Sequence, residues 1–273
     1  AICPGYIADM QLVKDLDGEK PLAVFTQGQL TAEHGKYIPR ECKEKKPHSF
    51  PNTMKMDNIT SPEDFVLRVP DEKTGSIRTN VIVSKYKGGA FNKAIWETLP
   101  IRDGKVDISR DPNLAFAAVC NRHGSGDRTI AVIRDFGLVH GAIASTISHD
   151  SHNFCVIYKK PEDAYAAARE LRRTGGGITV VSDGSVLATA ALPVAGLMSL
   201  LPVEELAAQV DQAIQAICKV SGGQNVFPKI TSLALVVLPG TLLSDKGLVD
   251  GPSQTFLPIF GETQEDENEK REK

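Results

Sequence analysis

The hydrophobic positions change rhythm along the chain, and the changes divide it. Residues 1–40 carry short apolar runs at strand spacing. Ala8–Lys14 and Pro21–Phe25 read as strands, and Gln27-Gly28 reads as a hairpin turn before Gln29–Thr31. Residues 41–62 break this rhythm with four lysines (Lys43, Lys45, Lys46 and Lys55) and three prolines, and they read as a linker or surface loop. From Phe65 the apolar runs return. Phe65–Val69, Ile77–Ser84, Ala94–Thr98, Leu114–Cys120, Thr129–Arg134, Ala142–Ile147 and Phe154–Tyr158 are expected strands, and Asp103-Gly104 marks a hairpin turn. Leu233–Leu238 is apolar at every position and is expected to form a strand buried on both faces.

Two segments switch to helical spacing. Pro161 suits the first position of a helix, Glu162 and Asp163 meet the positive end of its dipole, and Gly175–Gly177 stop it. From Pro202, the residues Val203, Leu206, Ala207, Val210, Ile214 and Ile217 form one stripe. Between these helices, Ile178–Ser182 and Val186–Ala190 pair around Asp183-Gly184 as a hairpin. The expected class is therefore α+β: a small β unit over residues 1–40, a linker over 41–62 and a larger mixed α/β domain over 63–260. No regular βαβ array is present.

Charge and cysteine content narrow the classes. The formal net charge is −3, and the twelve residues 262–273, with six acidic and three basic side chains, account for all of it. Residues 261–273 are accordingly expected to be a disordered acidic tail. The balanced remainder offers no basic stripe, which argues against a nucleic-acid partner. The five cysteines (Cys3, Cys42, Cys120, Cys155 and Cys218) are scattered and form no CxxC pair, which suits buried or free thiols in a reducing compartment. Without a signal peptide or an apolar run of about 18 residues, the expectation is a cytoplasmic chain with no membrane partner. The chain opens on alanine and runs straight into a strand pattern, so its natural start is expected upstream.

The densest polar cluster is Ser145–Asn153, where Ser148, His149, Asp150, His152 and Asn153 sit between two apolar strands. Such a turn at the end of a sheet can carry chemistry on a rigid scaffold. Four readings stay open. His149 and His152 can bind a metal with Asp150; either imidazole can act as general acid or base; the cluster can hydrogen-bond a small polar ligand; or Asp150 and Asn153 simply satisfy backbone groups in a structural turn. HxxH places two rings on one face only at helical spacing, so the metal reading is weak and no metal is assigned. Arg122-His123-Gly124-Ser125-Gly126 is a secondary candidate, either an anion cradle of backbone amides or an ordinary hairpin. Gly175–Gly177 is not a phosphate loop, because the order is helix, glycines, strand. HxH, HExxH, GxSxG and the zinc-deaminase pairing of HxE with PCxxC are all missing.

One resemblance adds to this. GAIASTISHDSHN at Gly141–Asn153 resembles the hallmark run of the C-terminal domain of bacterial-type adenine deaminases. Asn121–Gly124, Ile133–Gly137, Gly175–Val181, LPVAGLMS at Leu192–Ser199 and LSDKGLVD at Leu243–Asp250 resemble further segments in the same order. Ala1–Met10 resembles the segment with which amidohydrolase chains leave their barrel, so residues 1–40 would be part of that superfamily's small β domain. Phe227–Leu235 departs from the family's pattern. The resemblance implies a parent enzyme that converts adenine and water to hypoxanthine and ammonia with divalent metal (manganese, iron or zinc) held in a barrel. Those metal motifs are not in this chain, so it implies a part without the (β/α)8 barrel, inactive alone and needing no metal of its own, whose partner is the barrel half or another copy. Ser148, His149, Asp150, His152 and Asn153 would then lie near substrate. The alternative is a non-catalytic purine-binding, metal-binding or assembly module.

Overall fold

A computed structural model describes residues 3–16, 20–39, 49–70, 74–84, 89 and 91–261, which fall into two compact units, Ala1–Ser49 and Phe50–Lys273. Residues 41–48 and the acidic tail from Glu262 lie outside the described residues, as does Cys42.

The first unit is an antiparallel meander of β1 (Met10–Leu12), β2 (Ala23–Thr26), β3 (Gln29–Glu33) and β4 (Lys36–Tyr37). Gln27 and Gly28 both take positive φ, 52° and 76°, the conformation a two-residue hairpin of this twist demands. The Asp9 carboxylate accepts the Gln27 amide at 2.6 Å and fixes that turn. Of the described residues in this sheet, Ala23 and Thr31 are buried.

The second unit is built on a nine-stranded sheet. In chain order its strands are β5 (Ser76–Val83), β6 (Lys93–Arg102), β7 (Lys105–Val106), β8 (Leu114–Cys120), β9 (Arg128–Arg134), β10 (Ala142–Ser145), β11 (Phe154–Tyr158), β12 (Gly177–Ser182) and β13 (Ser185–Ala191). Their order across the sheet is β13-β12-β10-β11-β8-β9-β5-β6-β7, and only β5 and β9 run parallel. The described residues contain no (β/α)8 barrel. Two helices, α1 (Pro161–Thr174) and α2 (Val203–Val220), cover opposite faces. On the α2 face lie also α3 (Phe227–Leu233) and a three-stranded sheet of β14 (Thr241–Ser244), β15 (Gly247–Asp250) and β16 (Thr255–Leu257).

Strand β8 shows why the sequence tolerates cover on both faces. Its Leu114, Phe116, Ala118 and Cys120 enter one core and Ala115, Ala117 and Val119 the other, so small residues face α3 and the small sheet. Tyr158 is fully buried beneath α1, and its hydroxyl donates to the Phe65 carbonyl at 2.6 Å, so the phenol is satisfied without water. Cys120 and Cys155 are buried as expected, and burial pushes both thiols up to about 12. Among the described residues, no helix is long and apolar enough to cross a membrane.

Several expectations need correction. Leu233–Leu238 is not a buried strand: Leu233 closes α3, and Val237 is 65% exposed. Pro228 at the first turn seeds the helix, Ile230 and Leu233 supply one buried face, and Pro239-Gly240 turns the chain away before a strand can form. An all-apolar run of this length does not distinguish strand from helix. Phe65–Val69 is likewise not a strand. A short 3-10 helix over Pro62–Phe65 takes its first residue, and Arg68 makes only an isolated bridge with Lys105. The part of the lysine-rich stretch that is described, residues 49–62, is no surface loop throughout: Met54, Met56 and Ile59 are buried against the α1 face. In α2 the predicted stripe is buried only toward its C-terminal half, at Ile217 with Ala213, Ala216 and Val220, while Val203 and Ala207 are exposed.

Candidate functional site

Register collects the motifs at one end of the large sheet. Phe154 pairs with Cys120, Ser145 pairs with both Cys155 and Ile178, Cys120 pairs with Arg128, and Gly177 pairs with Ala191. The four connections at that end are therefore neighbours: Thr146–Asn153 between β10 and β11, Asn121–Asp127 between β8 and β9, Gly175-Gly176 before β12, and the 192–199 segment after β13.

Arg122 ties two of the other connections, and Thr53, to its own hairpin. It is 2% exposed. Its Nε donates to the His152 carbonyl, one terminal nitrogen donates to Thr53 Oγ1 at 2.8 Å, and the other donates to the Ala195 carbonyl at 2.8 Å. All three partners are neutral, and burial lowers the guanidinium's pKa from its ordinary value. Arg122 is thus spent inside the protein as a three-way tie. Gly196 makes room for it, since a Cβ there would stand 3.0 Å from the guanidinium carbon. The anion-cradle reading of 122–126 fails for a related reason: the amides of His123 and Ser125 already donate to Asn121 Oδ1. The loop is an Asn-stabilised hairpin.

The polar turn is divided between an interior and a rim. Thr146 donates to the Gly196 carbonyl at 2.6 Å and accepts the Gly177 amide at 2.8 Å. Asn153 is buried and accepts the Arg122 amide at 3.4 Å. Ser148 is fully buried, and its Oγ has no partner among the described residues; His152 Nδ1 is also buried and unpartnered. His149, Asp150 and Ser151 are exposed. The His149 and His152 rings meet edge to face with centroids 5.7 Å apart, and His123 Nε2 lies 3.0 Å from the Ser151 carbonyl. The structure therefore brings Ser148, His149, Asp150, His152, Asn153, Arg122 and His123 together, but in different roles. Arg122 and Asn153 brace the turn, while His149, Asp150 and Ser151 form its open surface.

Burial, and next the charge of His149, hold the His152 pKa below its ordinary value. His152 is therefore neutral at pH 7. Unfolding restores the ordinary value, so the unfolded chain binds the extra proton first. Stability is then full above about pH 6.5 and falls as pH drops below it. Urea unfolding of the wild type should show a midpoint that decreases between pH 7 and 5, and His152→Gln should flatten that slope. The depressed carboxylates, such as Asp64, Asp111 and Asp127, act only in more acidic solution. An unchanged slope in the variant would assign the effect elsewhere.

Sequence reading missed the contribution of the small sheet. The Asn121 amide donates to Asp245 at 2.9 Å, and Lys246 pairs with Asp127, so the β14–β15 turn is tied to the β8–β9 hairpin. A cleft of about 340 Å³ opens between this turn, β16 and the exposed Asp150-Ser151. The LSDKGLVD run at 243–250 carried that signal, but Phe256 had none.

A largely antiparallel sheet with a braced histidine-bearing turn at one end defines a domain that presents polar groups outward. The chain belongs to the family described as the adenine deaminase C-terminal domain, whose model matches residues 90–255. It is 35% identical over 266 residues to "Adenine deaminase 2" of Carboxydothermus hydrogenoformans, covering 95% of this chain and 45% of that protein. Over 271 residues it is 35% identical to an adenine deaminase of Roseobacter denitrificans, covering 95% and 43%. With an adenine deaminase of Nitratidesulfovibrio vulgaris the identity is 34% over 263 residues, covering 95% and 44%. The chain thus spans less than half the length of the curated relatives it matches.

Proposed function

We propose that this chain is the C-terminal part of a hydrolase that converts adenine and water to hypoxanthine and ammonia, and that its polar turn closes the substrate site. The observation that carries this reading is the pair of buried, unpartnered atoms, Ser148 Oγ and His152 Nδ1, behind the exposed His149-Asp150 rim. Leaving a buried donor or acceptor unpaired costs about 1–3 kcal/mol, and on this reading a rearrangement of the turn as the site closes brings these two atoms to a partner. On this reading residues 1–40 are part of an amidohydrolase β domain, residues 63–260 are the deaminase-like domain, and the remaining partner is the barrel half.

The resemblance also implies a divalent metal, manganese, iron or zinc. The described residues do not suit it: no three His, Cys, Asp or Glu side chains among them converge on one point. His149 and His152 alone supply two donors, and a catalytic site needs about three protein ligands. What its own residues supply is positional. Asp150 presents a carboxylate to the N–H groups of an aminopurine, His149 offers a proton carrier at the rim, and neutral His152 keeps added positive charge out of the turn.

Mixing the chain with a separately produced barrel half of a relative should restore adenine-dependent ammonia release. His149→Ala and His152→Ala should each lower that restored rate about tenfold or more, within the range for a positioned acid-base group. Restored activity indifferent to both substitutions would remove the turn from the site. Adenine or metal binding without any restored turnover would instead favour a non-catalytic module.

A further inference from the structure

We infer that the cleft between the polar turn and the small sheet binds an unphosphorylated aminopurine base. The inference rests on the proposed function only for the identity of the base; the cleft belongs wholly to this chain. Its floor is apolar, with Val236 and Val249, and one wall carries Phe256 on β16. That ring packs over Gly247, where a Cβ would stand 2.8 Å from the ring carbon Cδ1, yet it remains 64% exposed. A large aromatic surface seated on a glycine and left open is a stacking platform for a planar heterocycle.

The opposite wall selects the edge of that heterocycle. Asp150 accepts no hydrogen bond from the described residues, and Ser151 adds a hydroxyl beside it. A carboxylate accepts only, so it suits the exocyclic amine and ring N–H of an aminopurine. Asp245 also lines the cleft, oriented by Asn121. The one cation of the lining, Lys246, is already paired with Asp127. The cleft lining therefore carries Asp150 and Asp245 against a single lysine whose charge Asp127 already offsets, and like-charge repulsion disfavours a phosphate there. A free base or nucleoside fits; a nucleotide does not.

Calorimetric titration of the whole 273-residue chain with adenine, and separately with AMP, tests this. Saturable adenine binding is expected, with AMP at least about tenfold weaker. Phe256→Ala should weaken adenine about tenfold or more, the usual effect of losing one stacked ring. Asp150→Asn should weaken it as well, with the circular dichroism of both variants unchanged. No adenine heat at millimolar concentration, equal affinity for AMP, or binding indifferent to Phe256→Ala would each overturn the assignment. If the chain binds adenine in this pattern but reconstituted enzyme never releases ammonia, the deaminase reading fails and the cleft stands. If reconstituted enzyme turns over with its His149 and His152 dependence while the chain alone binds no adenine, the cleft fails and that reading stands.

Discussion

Replacing Arg122 with methionine is expected to lower the stability of the larger unit by about 3 kcal/mol, among the larger effects of any single side chain in this protein. The substitution keeps much of the aliphatic stem but strands three acceptors at once: the His152 carbonyl, the Ala195 carbonyl and the Thr53 hydroxyl. Removing a buried charge recovers some desolvation cost, which is why the loss stays below the sum of three charged hydrogen bonds. Arg122→Lys should recover only part of it, because an ammonium cannot span three divergent acceptors as a planar guanidinium does. Urea unfolding should show a lower midpoint with an unchanged slope for both variants, in that order of severity. A loss under about 1 kcal/mol for methionine would mean that water replaces the guanidinium at this end of the sheet. The effect should also reach the site, since the residues that Arg122 ties down are the turn's own backbone and its neighbours.

The second large effect is Gly177→Ala, expected to cost more than about 4 kcal/mol and to leave little folded protein at physiological temperature. Gly177 opens β12 at a φ of 136°, a region that side-chain-bearing residues rarely enter. A Cβ there would lie 2.1 Å from the Ala190 carbonyl oxygen, on the strand that pairs with it. Neither atom is the end of a flexible side chain, so relief requires that β12 and β13 separate. Gly184→Ala is the control. Its φ is 74°, but no atom stands within 4 Å of the added carbon, so the cost should be about 1 kcal/mol. Thermal unfolding of the two variants separates steric collision from backbone conformation alone; similar losses would refute the collision.

Much of the larger unit was legible in order. The strands β5, β8, β9 and β11 and the helices α1 and α2 announce themselves through alternation, apolar runs or helical spacing, and Gly175 closes α1 in the left-handed conformation that the glycine run suggests. Where two periods fit equally well, legibility ended. The apolar run ending at Leu238 turned with a proline-seeded helix, and Met54, Met56 and Ile59 went to the core from a stretch whose lysines and prolines suggest surface. A local pattern does not show which face another segment will cover.

The candidate site divides the same way. The sequence by itself determined that the polar residues of 145–153 sit together between two strands, and that this run belongs with adenine deaminase C-terminal domains. These are consequences of neighbouring position and of residue type. Only the tertiary structure decided which of them face outward. Arg122 and Asn153, which look as available as the histidines, are buried as braces because cross-strand register places them under the turn. Phe256, more than a hundred residues away, joins Asp150 across a cleft because β14–β16 fold back onto this end of the sheet. Burial and long-range approach depend on how the layers stack, and no local spacing of residues encodes that.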